Sequence, residues 1–188
     1  MTSDQPSTTR HGFDPIAGLL AALLPGLGHL YQKKIGRAAA AAVGILGLFL
    51  GGMLIGGIDV VDSREDRWWF YGQALTGPLA IAANHVHQNQ FKAYGPVRRP
   101  PDPDAEIFRS GYPDEQRVVG PDGRAIWRPL RESEIEAGMG PPNQKSLGKI
   151  NEIGMLYAVI AGMLNLIVFL DALFPTIREE NATESVSS

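Results

Sequence analysis

The side chains able to do chemistry are few, and most stand at the edges of apolar segments. His29 lies in Pro25-Gly26-Leu27-Gly28-His29-Leu30-Tyr31, while His85 and His87 follow a third apolar block. Imidazole nitrogen is a common zinc ligand, so three such residues raise a metal reading. The local pair does not support it. Two residues apart on a helix, His85 and His87 point about 200° from each other. On an extended chain they would share a face, but the neighbouring sequence offers no third ligand. Interfacial histidines bonded to headgroups or carbonyls are the reading adopted, and no metal or cofactor is expected. Ser-x-x-Lys, His-Glu-x-x-His, Gly-x-Ser-x-Gly and phosphate-loop patterns are all missing, so no catalytic residue is assigned. The chain has no cysteine, which removes disulfides, thiolate metal sites and a thiol nucleophile. A net charge of −3 without a basic, aromatic-interleaved cluster gives nucleic acid no footing.

What remains is a set of polar residues inside or beside apolar stretches: His29, Gln73, Asn84, Asn165 and Asp171. Such positions in lipid are functional candidates by default, or else interhelical hydrogen-bonding groups. Asn165 is read as the latter. Glu152 and Asp171 sit at the ends of their segment, where water reaches them, so an intramembrane proton relay has no carboxylates to use.

The elements that must position these residues are four apolar blocks. Ile153 to Leu170 carries no charge and a single amide, and a helix of roughly 20 apolar residues crosses a hydrocarbon core. On a helical wheel Gly154, Ala158, Ala161, Gly162 and Asn165 share one face, opposite large aliphatics. Small residues on one face let a neighbouring backbone approach in lipid. Residues 38–58 form a second span, with Gly44, Gly47 and Gly51 as a smooth packing ridge. Residues 16–31 are short and interrupted by Pro25, so they either span or fold back as a re-entrant hairpin turning at Pro25-Gly26. A cleaved signal peptide is a minor alternative. A third block opens with Trp68-Trp69-Phe70-Tyr71 and runs to about Asn84, kinked at Pro78. Its polar face holds Gln73, Thr76, Gly77 and Asn84.

Residues 88–146 differ in character, holding most of the prolines and about half of the charged residues. Within them Gly120-Pro121-Asp122-Gly123 has turn chemistry between two β-prone runs, which predicts a small hairpin. The ends, residues 1–14 and 175–188, are polar and read as disordered tails; the second holds a sequon at Asn181. The fold class expected is therefore all-α integral membrane, with three or four transmembrane helices, residues 15–87 supplying three and 147–174 the last. The 88–146 loop is expected to be Pro-rich, mostly irregular and cytoplasmic. Lys33, Lys34 and Arg37 are placed on that same side with Lys92, Arg98, Arg99, Lys145 and Lys149, and the C-terminus outside.

The Pro-Gly-Leu-Gly-His element, with Ala161-Gly162-Met163-Leu164-Asn165-Leu166 and Asp171-Ala172, resembles a family of small multi-pass bacterial membrane proteins of the planctomycete type. The first element is also similar to that of two-transmembrane-helix-domain proteins. The resemblance covers residues 16–87 and 147–174 and implies no activity. Three functions follow in order of preference. The first is a non-enzymatic scaffold or assembly partner, working with the lipid bilayer, a homo-oligomer or another membrane protein. The second is a small transport or permeation protein using the polar faces, and the third a membrane-embedded enzyme using His29 with Asp171.

Overall fold

The structure, a computed structural model, describes residues 9–97, 105–140 and 149–178. Two long helices form its axis, α3 (Ile35–Gly56) and α7 (Lys149–Leu173). They run antiparallel: Gly52 lies against Gly154 and Ala158 near one end, and Arg37 reaches Asp171 near the other. Both are long and apolar enough to cross a membrane. Only 22% of the apolar window of α3 and 33% of that of α7 is buried. Leu54, Val43 and Ile167 are more than half exposed, a distribution suited to a lipid surround and not to the core of a water-soluble bundle.

The other two apolar blocks do not run the length of the bundle. Each is a helical hairpin that turns back about halfway, and the two enter from opposite ends. In the first, Asp14 caps α1 (Pro15–Leu23) by accepting from the Ala17 amide at 3.1 Å. Leu24 is extended, Pro25 cannot donate, and Gly26 adopts a left-handed backbone (φ 89°) that starts α2 (Leu27–Tyr31). This hairpin begins beside Leu173, reaches the level of Asn165 at Ala21, and returns to Ala172 at Gln32. In the second, α4 (Arg67–Ala74) ends at Leu75-Thr76-Gly77 and α5 (Pro78–Val86) departs with proline in its first turn. It begins near Glu152 and returns to the segment joining α3 to α4, where Asn84 accepts from the Ser63 amide. A π-helical turn, His87–Phe91, closes it.

The expectation of an all-α protein with three or four spans is overturned on both counts: among the described residues two helices qualify as spans, and a four-stranded mixed sheet is present. The physical cause of the first is Pro25 and Pro78, which cut their blocks into half-helices of nine residues or fewer. Nine residues rise about 14 Å, half of a bilayer core.

The Pro-rich segment holds the sheet. Strands β2 (Lys92–Pro96), β3 (Glu106–Ser110), β4 (Glu115–Val119) and β5 (Ala125–Pro129) are ordered β3-β2-β5-β4, antiparallel except where β2 meets β5. The turn at Gly120–Gly123 joins β4 to β5, with Val119 opposite Ala125. Trp127 fills the small core, donating its indole N–H to the Arg109 carbonyl at 2.9 Å. Arg109 in turn forms a buried bidentate pair with Glu115, at 2.7 and 2.8 Å. A short helix, α6 (Glu132–Glu136), follows the sheet. Near the chain ends a two-stranded ribbon pairs β1 (Thr9–His11) with β6 (Thr176–Arg178). Residues 1–8 and 179–188 of the expected tails, including Asn181, lie outside the described residues.

These placements revise the relation of the ends. The basic turn at Lys33, Lys34 and Arg37 sits beside the C-terminal end of α7, and the sheet sits at the other end of the bundle. The basic turn and the sheet of the 88–146 segment, assigned to one side from charge, are thus a helix length apart. Of the residues used for that assignment, Arg98, Arg99 and Lys145 lie outside the described residues.

Candidate functional site

The five polar positions singled out in the sequence fall into three separate places. Asn165 sits where the two hairpin tips meet. Its amide nitrogen donates to the Leu75 carbonyl at 2.9 Å and reaches the Ala21 carbonyl at 3.4 Å. Ala21 is the residue whose helical partner would have been Pro25, which has no N–H. Leu75 ends a half-helix at the Gly77 break, so both carbonyls belong to the orphan set at a helix terminus. The tips touch directly: a side chain at Gly77 would come within 2.5 Å of the Ala22 carbonyl. Beside them lies a mostly apolar cavity of about 250 Å³, lined by Ala22, Leu75, Gly77, Asn165 and Phe169. Asn165 Oδ1 and Thr76 Oγ1 are buried without a hydrogen-bond partner.

His29 and Asp171 do come together, with His29 Nε2 2.7 Å from Asp171 Oδ2. Arg37 adds a second contact to the same oxygen at 3.3 Å. This pairing ties the first hairpin to the end of α7, alongside Gln32, which donates to the Ala172 carbonyl at 2.8 Å. The Pro-Gly-Leu-Gly-His element thereby acquires a structural logic. Pro25 breaks the helix, Gly26 turns it, Gly28 lies against the Ala17 carbonyl, and His29 binds Asp171. Gln73 and Asn84 go elsewhere: Gln73 Nε2 donates to the Val60 carbonyl at 2.9 Å, and Asn84 holds Ser63.

The small residues also divide. On α7, Gly154, Ala158, Ala161 and Gly162 are buried, with Gly162 directly against the Gly72 backbone of α4. On α3 the residues in contact with α7 include Gly52 and Gly56. Gly44, Gly47 and Gly51 face outward, and an added Cβ at any of them meets nothing within 4 Å.

A further cluster escaped the sequence reading. The segment joining α3 to α4 folds inward against the π-helical turn and the first strand of the sheet. Lys92 is fully buried, bonded to Asp62 and, at 2.6 Å, to Glu65. Asp62 Oδ1 accepts from the Arg64 amide and from Gln88 Nε2, each at 2.8 Å. Burial acts to raise the Asp62 pKa, but the Lys92 ammonium and the backbone donors outweigh it and hold the carboxyl below its usual range. Asp59 accepts from Ser110 Oγ at 3.1 Å, which ties β3 to the bundle. His87 completes the group: its Nδ1 lies 3.1 Å from the Val61 carbonyl. Among the described residues, Asp59, Asp62 and His87 are a group whose ligand atoms all lie within 4.8 Å of one another. His85 is turned away and exposed, bonded to Asn89. The sequence signal available was the spacing Asp59-x-x-Asp62 ahead of a histidine, which says nothing until the hairpin brings residue 87 back to residue 61.

Two interrupted hairpins inserted from opposite ends between two long apolar helices, with a small mixed sheet at one end, define the class of molecule: a helical bundle with membrane-spanning capacity and an appended α+β unit. The chain belongs to DUF6677, a family of unknown function whose model matches residues 16–184. No curated protein and no solved structure matches it.

Proposed function

We propose that the chain is a multi-pass protein of the cell membrane that acts as a non-enzymatic assembly partner, and that it associates with a second copy of itself through α3. On this reading it keeps the company of the planctomycete-type proteins it resembles. The observation that carries the proposal is the open ridge of α3. Ala40, Gly44, Gly47 and Gly51 recur at four- and three-residue steps on an outward face, where a Cβ added at any of the three glycines would meet nothing within 4 Å beyond its own helix. That spacing suits a left-handed helix pair, and small side chains let the backbones close on each other in lipid. Support comes also from the polar residues, which serve contacts within the chain instead of lining one wet cavity.

The chain has no cysteine, so Gly47→Cys places one thiol on the ridge. Oxidation in native membranes should give a disulfide-linked dimer. Gly51→Leu should abolish that dimer while leaving monomer abundance and thermal stability unchanged, because its side chain enters open space. A Gly47→Cys protein that stays monomeric overturns the proposal.

A second reading, small-molecule or ion permeation, is favoured by the hairpin tips. Interrupted segments in corresponding positions of two inverted halves often mark a substrate site in transporters. Proteoliposome flux that responds to Asn165→Leu would support it, and flux no greater than in empty vesicles would remove it.

A further inference from the structure

The geometry points to a divalent transition-metal site of the zinc class at the junction of bundle and sheet, held by His87 Nε2, Asp59 and Asp62. His87 carries the argument. Its Nδ1 faces the Val61 carbonyl, an atom that can only accept, so the proton belongs on Nδ1. In the neutral ring Nε2 is then a lone pair. That nitrogen is fully buried and has no hydrogen-bond partner. It stands 3.4 Å from Asp59 Oδ1, outside hydrogen-bond geometry. A histidine oriented by a backbone carbonyl, with its other nitrogen aimed at a carboxylate, is the arrangement that metal-binding imidazoles adopt. The separation of His87 from Asp59 fits too. Two ligands on one tetrahedral zinc, each about 2.0–2.1 Å from the ion, lie about 3.3 Å apart.

Asp62 supplies the third ligand, and the surrounding contacts allow it. The Lys92 ammonium that occupies Asp62 is shared with Glu65, so it retains a carboxylate partner when a cation takes the Asp62 oxygen. One nitrogen and two oxygens leave a fourth position for water, and the choice of imidazole with carboxylate suits zinc, manganese or iron over calcium. Ligands from the α3–α4 connection and from the end of the second hairpin would be locked together by the ion. Ser110 on β3 binds the same Asp59, which extends that lock to the sheet. None of this depends on whether the α3 ridge mediates dimers.

The test uses the full chain, purified in detergent micelles and stripped with chelator. Zinc titration against a competing chromophoric chelator should show one saturable site per chain, with a rise in melting temperature. His87→Ala and Asp59→Asn should each weaken binding by at least about tenfold, the loss that changes one shell further out already produce. His85→Ala, altering an exposed residue, should bind as the parent does. The wild-type chain gives a readout independent of any variant's folding. Zinc should shift the Nε2 resonance of one buried histidine in 15N spectra while its Nδ1 stays protonated. No saturable binding to the wild-type chain, no such shift, or affinity unchanged in Asp59→Asn would each overturn the site.

Discussion

At the scale of the residue, Asn165 shows how one amide can make two broken helices compatible with an apolar surround. Interhelical hydrogen bonds in membranes average about 0.6 kcal/mol, because the alternative state also finds partners. Here the acceptors are carbonyls at two helix breaks, one of them orphaned by a proline and buried, and the tips that carry them touch. Leaving a buried acceptor unsatisfied costs about 1–3 kcal/mol. Asn165→Leu, which keeps the volume and removes the donor, should therefore destabilise the folded protein by about 1–2 kcal/mol. Reversible unfolding in mixed micelles would measure it. A loss no larger than the membrane average would mean that water or another donor reaches those carbonyls. The presence of Asn165 on the small face was legible in the sequence. Its acceptors were not, because nothing local relates Leu75 to Ala21; only the opposed hairpins bring them together.

At the scale of the element, what the sequence disclosed depended on whether an element's state is decided locally. The lengths of α3 and α7 were legible, since an unbroken apolar run has few options. The fate of residues 16–31 was legible only as a choice between spanning and turning back. Contacts of Gln32 with Ala172 and of His29 with Asp171 decide it. The sheet was underestimated for a related reason. Beyond Trp127, much of its interior is ionic, with Arg109 and Glu115 buried against each other, and a hydropathy scan discounts such residues. The same discount hid Lys92 and Asp62. The end of the sheet carries a further ionic link, in which Arg128 holds Glu134 of α6 at 2.9 Å and the Arg131 amide binds it as well. The Arg128 guanidinium, with that backbone donor, lowers the Glu134 pKa from 4.5 to about 2. A depressed carboxyl stabilises the fold above its unfolded pKa and ceases to do so as pH falls through the folded value. The docking of α6 on β5 should therefore be complete at pH 5 and weaken between about 4.5 and about 2. The Glu134 side-chain carboxyl shift, followed by NMR, should titrate near the lower limit. A midpoint near 4.5 would show that the link does not persist in solution.

At the scale of the whole molecule, the two hairpins give the bundle an inverted character that charge counting could not see. Each long helix is preceded by a helical hairpin, and the hairpins insert from opposite ends, so their tips share one level near Asn165. If the second hairpin had spanned, the basic turn and the sheet would lie on one side. Because it turns back, α3 alone separates the turn at Lys33, Lys34 and Arg37 from the segment at Asp59 to Lys92. The difference is directly measurable in a chain without native cysteine. Gly36→Cys places a thiol at the start of α3, where an added Cβ meets nothing within 4 Å beyond its own helix, and Ser133→Cys places one on exposed α6 beyond the sheet. A membrane-impermeant maleimide applied to sealed vesicles of known orientation should label one of these variants and spare the other. Inverting the vesicles should exchange them. Labelling of both from the same side would restore the even number of crossings between those positions that the charge pattern implied. It would remove the turning back of the second hairpin with it, since that alone puts residues 36 and 133 on different sides of the bundle.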